Sequence, residues 1–543
     1  MTGYPGRKVE RVLENYRIVQ TIPGYLYDSS FYSMRSGNRY EQGLWVFFFV
    51  ALGLTSCRNK ETTVVWNQGF PVIGSQSSPR AADLNGDGTD DLVLGACKNE
   101  YQSTDYGVIA LDGKSGEMIW HTDSRDQVYG SATLVDVNGD STLDVIIGGR
   151  WAYLRALNGR TGETFWNYSP PDTNDPVLKY ARFNFFNSVL VPDQSGDGLR
   201  DLLIQNGGNH AAKPQSFSDR FPGVLMLMDS RTGTILAADT MPDGQESYMS
   251  PLYFEQPDGN QYIVFGSGGE TASGSLYIGL LSDLKNKNLV HARAVATDTS
   301  HHGFIAPPVL ADLNKDGFLD LVAISHSSRI FAVDGKTMEP LWNRHIPGTE
   351  SSNSLAVGQF TGDATPDLFT VVSKGEWPNS RGSLQILLDG KDGSIAYLDS
   401  QGCAGFSSPV VYDLNGDGVE EAILSINLYD CSRGYTAVSR LEIQNRLIAI
   451  DFKRRRIIPI DQAQNMKNIF STPWIGDLDR DGYLDIVHSQ FFSPNYDLLV
   501  FLGMQIKRIS TSIRYKQPAK WGGYMGSNGD GIYRDQGSVV NSQ

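Results

Sequence analysis

The residues best placed for chemistry in this chain are acidic. In Asp83-Leu-Asn85-Gly-Asp87-Gly88-Thr-Asp-Asp91, oxygen-bearing side chains stand at positions 1, 3, 5 and 9, with a glycine at 6 where the backbone must bend. A hard cation such as Ca²⁺ takes about six to eight oxygens, and alternate residues of a tight loop can turn inward together to supply them. One such loop alone would be an ordinary Asp-Gly turn. Five further copies argue otherwise. They are Asp136, Asn138 and Asp140 closing on Asp144; Asp193, Ser195 and Asp197 closing on Asp201; and Asp312, Asn314 and Asp316 closing on Asp320. Asp413, Asn415 and Asp417 close on Glu421, and Asp477, Asp479 and Asp481 close on Asp485. These six loops are expected to bind Ca²⁺. Gln359-Phe-Thr361-Gly-Asp363, closing on Asp367, lacks the first carboxylate and is expected to bind weakly. Glu255-Gln-Pro257-Asp258-Gly259 is expected not to bind.

The first positions are 83, 136, 193, 255, 312, 359, 413 and 477, so the loops recur every 53, 57, 62, 57, 47, 54 and 64 residues. Eight units of near-constant length are a repeat architecture, not a string of unrelated domains. In each unit an apolar strand runs into the loop, as in Pro409-Val-Val-Tyr-Asp413, and a second leaves it, as in Asp144-Val-Ile-Ile-Gly148. A third strand ends in a turn, Gly107-Val-Ile-Ala-Leu-Asp112-Gly-Lys-Ser-Gly116, and a fourth follows, Glu117-Met-Ile-Trp120. Four antiparallel strands in each of eight units predict an all-β chain folded as an eight-bladed β-propeller, whose radial blades leave only short, protected edges. Glycine (57 residues) and an 11% aromatic content suit many short strands and turns.

Closure of the ring is legible too. Val64-Val-Trp66 precedes Asp83 by 17 residues, as Trp120 precedes Asp136 by 16 and Trp342 precedes Gln359 by 17. Residues 63–67 are therefore expected to form the outermost strand of the last blade, which begins near Ile469. The propeller would span 62–515, with the Gly- and aromatic-rich tail 516–543 packed on it. A monomer is expected. Ser78, Ser131, Ser188, Ser250, Ser354, Ser408 and Thr472 each stand five residues before a loop. Small residues are needed where inner strands converge on an axis, and packing explains these better than a hydroxyl ring lining a channel.

The Asp-x-Asn-x-Asp-Gly-x-x-Asp loops followed by an apolar strand resemble the FG-GAP/VCBS repeats of integrin-type propellers. The Ala-Leu-Asp-x-x-Ser/Thr-Gly turns that lead to a Trp are similar to PQQ-type propeller repeats. Together they cover about residues 62–503. What both resemblances imply is a scaffold, not one activity. PQQ enzymes carry vicinal cysteines near the cofactor, whereas Cys97, Cys403 and Cys431 are separated, so a PQQ-dependent dehydrogenase ranks third among the readings.

Near the N-terminus, Met34-Arg35…Arg39 precedes an apolar run, Leu44–Gly53, and Leu54-Thr-Ser-Cys57. A basic start, a short apolar core and small residues are the parts of a secretory signal, and the core is too short for a stable transmembrane span. Leu-Thr-Ser-Cys resembles a bacterial lipobox. That resemblance implies a true start at Met34, with 1–33 a mis-called extension, a lipidated Cys57 as the first residue of the mature protein, and a lipid-anchored protein of the bacterial outer membrane or cell surface. The alternative is a buried N-terminal helix with an incidental cysteine. In an oxidising envelope Cys403 and Cys431 are candidates for a disulfide. Cys97 reads as a small buried apolar residue.

A net charge of −15 argues against nucleic acid, since phosphate contacts need clustered Lys and Arg. No Gly-x-Ser-x-Gly elbow, His-Glu-x-x-His, phosphate loop or Cys-x-x-Cys is present. The loops at the other strand ends are unequal in length and carry Arg150, Trp151, His210, His302 and Trp377. Variable loops on a rigid scaffold are where recognition usually sits. The expected function is therefore a Ca²⁺-braced, envelope-anchored scaffold binding a protein or glycan partner. The enzymatic rival is a calcium-dependent, lyase-like enzyme acting on acidic polysaccharide.

Overall fold

The computed structural model describes residues 62–534, apart from 172–173, 210–211, 214–215, 378, 404, 434–441 and 494–499. The expected start at Met34 and the expected lipid anchor at Cys57 lie outside these residues, as does His210.

Eight antiparallel sheets follow one another along the chain. Blade 1 spans residues 80–124, blade 2 133–167, blade 3 184–240, blade 4 252–298, blade 5 309–345, blade 6 349–399 and blade 7 410–464. Blade 8 takes three strands from 474–514, and its outermost strand is Thr62–Pro71, paired antiparallel with 503–511. This is the eight-bladed propeller closed by an N-terminal strand that the Trp-to-Asp spacing indicates. Inner strands are short, as in Arg80–Ala82, because eight of them converge. Second strands such as Asp91–Gly95 and Asp144–Gly148 are buried throughout and read as unbroken apolar runs, since each is covered on both faces by neighbouring blades. In blade 4 the short helix Leu281–Lys285 replaces the Asp-Gly turn.

Blades are joined by two repeated devices. The first is hydroxyl clasps between inner strands. Ser131 Oγ accepts the Ser78 N–H (3.0 Å), Ser78 Oγ accepts the Thr472 N–H (2.9 Å) and Ser408 Oγ accepts the Ser354 N–H (3.0 Å). The serines before the loops are thus packing and bonding groups. The second is a tryptophan on the fourth strand of one blade that reaches the turn of the next. Trp66, Trp120, Trp166 and Trp342 donate from Nε1 to the carbonyls of Gly113, Gly159, Ser230 and Gly390, at 2.9, 2.7, 2.9 and 2.8 Å. Each indole lies on a turn glycine, Gly116, Gly162, Gly233 or Gly393, where a Cβ would approach the ring to within 2.4–2.8 Å. These glycines also have positive φ, 68–75°, so the turn needs glycine on both counts.

The tail fills the axis. Trp521, 1% exposed, accepts the Val411 N–H of blade 7 at its carbonyl (2.9 Å), and the Gly522 carbonyl accepts the Ile475 N–H of blade 8 (2.8 Å). Leu310 of blade 5 donates to the Gly531 carbonyl and accepts from the Tyr533 N–H, both at 2.8 Å. The buried Arg80 of blade 1 donates to the Tyr524 carbonyl (2.8 Å). Cys403 and Cys431 form a disulfide with Cα atoms 5.3 Å apart, and Cys97 is a buried free thiol.

Candidate functional site

The acidic loops share one geometry. Asp83 accepts the N–H groups of Gly86 (2.7 Å) and Gly88 (3.0 Å), and Asp87 accepts that of Thr89 (2.8 Å). The same pattern recurs at Asp136, Asp193 and Asp413, and partly at Asp312 and Asp477. The closing carboxylate points inward. Asp91 accepts Leu84 and Asn85 N–H groups from its own loop and the Gly113 N–H (3.0 Å) from the turn between the third and fourth strands. Asp144, Asp320 and Asp367 take Gly159, Gly335 and Gly390 in the same way. Burial pushes Asp91, Asp320, Asp367 and Asp485 up to about 6 and Glu421 up to about 8, with the backbone N–H groups only partly offsetting it.

Sequence reasoning missed the counter-ions. The turn after the third strand carries a basic residue that faces the middle of the acidic loop: Arg231 lies 2.7 Å from Asp197, Arg454 2.8 Å from Asp417 and Lys336 3.8 Å from Asp316. In blade 8 the buried Arg508 pairs with both Asp479 and Asp485. The signal was present as the basic residue of each turn, in Asp229-Ser-Arg231, Asp334-Gly-Lys336 and Asp451-Phe-Lys-Arg454. Among the described residues, three acidic ligand atoms converge to within 4.8 Å in blade 8 alone, on Asp477, Asp479 and Asp485. There Asp479 Oδ1 and Asp485 Oδ1 are buried with no hydrogen-bond partner, and the positive charge that faces the set is the Arg508 guanidinium.

The loops on the opposite face hold charged and aromatic groups in clusters. Arg150 pairs with Glu100, donates to Gln127 Oε1 (3.0 Å) and lies over the rings of Tyr101 and Tyr129. Trp151, 39% exposed, carries the Arg125 guanidinium 5.2 Å above its ring. His302 donates from Nδ1 to the Glu270 carbonyl (2.9 Å), and its ring centre lies 5.1 Å from that of His326. His326, buried, donates from Nδ1 to the Ser351 carbonyl (3.0 Å) and holds Nε2 3.5 Å from Glu350 Oε2. Burial would lower its affinity for a proton, but Glu350 and Glu270 outweigh that and hold it above the usual histidine value. Glu350 Oε1 accepts the Trp377 N–H (2.9 Å). The structure thus joins His302, His326 and Glu350, which Trp377 meets through its main chain only, its half-buried indole packing against the apolar cluster of Phe406, Ile469 and Phe491; Arg150 and Trp151 lie in another cluster. A third cluster was not foreseen: Arg220 Nη1 lies 3.0 Å from the buried Glu246 and donates to the Tyr248 hydroxyl (2.9 Å). Nothing in the sequence pairs residues 26 and 28 positions apart in irregular loops.

A sequence profile described as the FAM234A/B beta-propeller matches residues 95–397, more than half of the 543. The chain belongs to this family. Chicken Protein FAM234B is 21% identical over 375 residues, covering 64% of this chain and 56% of the relative; human Protein FAM234B is 22% identical over 393 residues, covering 67% and 59%. The chain therefore spans somewhat over half the length of these FAM234A/B relatives. Both are vertebrate proteins, and neither match supports the bacterial lipobox reading. Solved structures share the fold. A quinohemoprotein alcohol dehydrogenase from Comamonas testosteroni superposes with a TM-score of 0.53 at 11% identity, covering 85% of this chain and 78% of that one. A europium-containing methanol dehydrogenase gives 0.50 at 12% identity, covering 83% and 93%.

Proposed function

We propose that this member of the FAM234A/B family is a binding scaffold for a protein or glycan partner, engaged on the face opposite the acidic loops. The observation that carries the reading is the convergence of His302, His326 and Glu350, with the main chain of Trp377, from the loops of blades 4, 5 and 6. Connections on that face are unequal, 325–328 in blade 5 against 208–223 in blade 3, while the acidic loops keep one length. The axis is filled by the chain's own tail, which favours a ligand held at the mouth. The test is a binding screen of the folded domain against glycans and candidate proteins. His302→Ala is expected to weaken binding at least tenfold while leaving the melting temperature within about 2 °C, as changes away from the core do.

The same proposal assigns Ca²⁺ to the six complete loops as a brace. A cation bound only to the folded state stabilises it by mass action, so excess chelator is expected to lower the melting temperature, and Asp87→Ala to shrink that difference. An unchanged melting curve in chelator would reduce the loops to turns bonded by their own backbone and by Arg and Lys. A lyase is the second reading, favoured by His326, whose proton affinity is raised beside Glu350. Ultraviolet absorbance from unsaturated products of acidic polysaccharide, lost on His302→Ala, would establish it over the scaffold.

A further inference from the structure

Four of the eight junctions between blades, 3/4, 4/5, 6/7 and 7/8, carry no tryptophan on the fourth strand. At the 8/1, 1/2, 2/3 and 5/6 junctions an indole fills the groove between a fourth strand and the next turn. At the 6/7 junction the corresponding residue is Tyr397, opposite Leu387, where Trp120, Trp166 and Trp342 stand opposite Ala110, Ala156 and Ala332. The receiving turn of blade 7 changes with it. Phe452 and Arg455 occupy the places that Gly113 and Gly116 hold in blade 1, and Arg455 keeps the positive φ (49°) at the cost of strain that glycine avoids. The adjacent loop of blade 6 is the one that has lost its first carboxylate, at Gln359. Where the indole would lie, an open groove of about 530 Å³ remains, within the range of about 300–1,000 Å³ usual for ligand sites.

We propose that this groove is a binding site for an aromatic side chain of a partner polypeptide that carries a neighbouring carboxylate. Phe360, Tyr397 and Phe452 form its aromatic wall, with Phe452 edge-on to Phe360 at 5.0 Å and to Tyr397 at 5.2 Å. Four sister grooves of the same ring hold a tryptophan, so the shape selects a flat ring. The rim selects the charge. Lys453 is 3.7 Å from Asp417, and Arg455 is exposed with no ion pair among the described residues. An anionic group beside the inserted ring would meet that guanidinium. This surface lies on the acidic-loop side and is independent of the His302 cluster.

The test uses a blocked Glu-Trp-Glu tripeptide and its Glu-Ala-Glu counterpart, followed by saturation-transfer NMR on the folded protein. The tryptophan peptide is expected to bind and the alanine peptide not. Arg455→Gln is expected to weaken binding roughly two- to fivefold, the range of an exposed ion pair. Tyr397→Trp supplies the missing indole from within and is expected to abolish binding with no loss of melting temperature. Equal binding of both peptides, or undiminished binding to folded Tyr397→Trp, overturns the proposal. Should Tyr397→Trp fail to fold, unchanged affinity in Arg455→Gln overturns it instead. Free indole-3-acetate binding as tightly as the peptide would also overturn it, by assigning the groove to small aromatic acids.

Discussion

At the scale of single residues, a buried group of ionisable side chains between blades 7 and 8 ties stability to pH. Lys507 Nζ is 2.6 Å and His488 Nε2 3.1 Å from Asp461 Oδ2, with Lys507 and His488 buried. Burial pushes Asp461 upward, but hydrogen bonds and charge from His488 and Lys507 outweigh it and hold the group at about 2. A carboxylate depressed in the folded state lends stability that is present above its unfolded value, near 4, and lost as pH falls towards 2. His488 is lowered by burial, so the unfolded chain takes up its proton first once pH drops below about 6.5, and the loss begins there. Lys507→Met removes one of the two groups, after His488, that hold Asp461 down. Urea denaturation at pH 7 is expected to show a loss of about 3 kcal/mol, and a pH series should show a shallower decline between 4 and 2. A decline as steep as the parent's would mean that Lys507 is not what holds Asp461 ionised.

At the scale of elements, the tryptophan-to-turn contacts set how blades meet. Trp120→Ala opens a cavity, leaves the Gly159 carbonyl without its indole donor and is expected to cost about 3–5 kcal/mol in denaturant unfolding. Gly162→Ala is expected to destabilise as well, because its Cβ would reach to 2.8 Å from the Trp120 ring at a positive φ of 74°. If Gly162→Ala is neutral, the indole is not seated as described. Much of this was visible in the residues: the loop spacing marked the blades, and the distance from Trp66 to Asp83 placed the closing strand. That Trp120 touches Gly162 was not, because alternation and turn chemistry specify pairing within a blade. Contact between blades depends on how two twisted sheets stack. Arg220 and Glu246 were hidden for another reason, since both sit in irregular loops, whereas Arg231 and Asp197 meet between two turns at the same end of one blade.

At the scale of the molecule, the first and last strands of the ring meet in one blade, and the tail that follows runs into the axis. Trp521→Ala is expected to lower stability by about 3–5 kcal/mol while unfolding stays a single transition. A loss below about 1 kcal/mol would mean that the tail rests in the axis without binding the inner strands together. The closing strand has a further consequence, in time. Its partner, residues 503–511, leaves the ribosome roughly 430 residues after Pro71, about 20 to 90 s later at about 5 to 20 residues per second. Through that interval Thr62–Pro71 has no strand to pair with, and it carries Val64, Val65, Trp66 and Phe70. An unpaired apolar strand is a template for other chains. The nascent protein is therefore most in need of a chaperone at this strand, and that need persists until the last blade emerges.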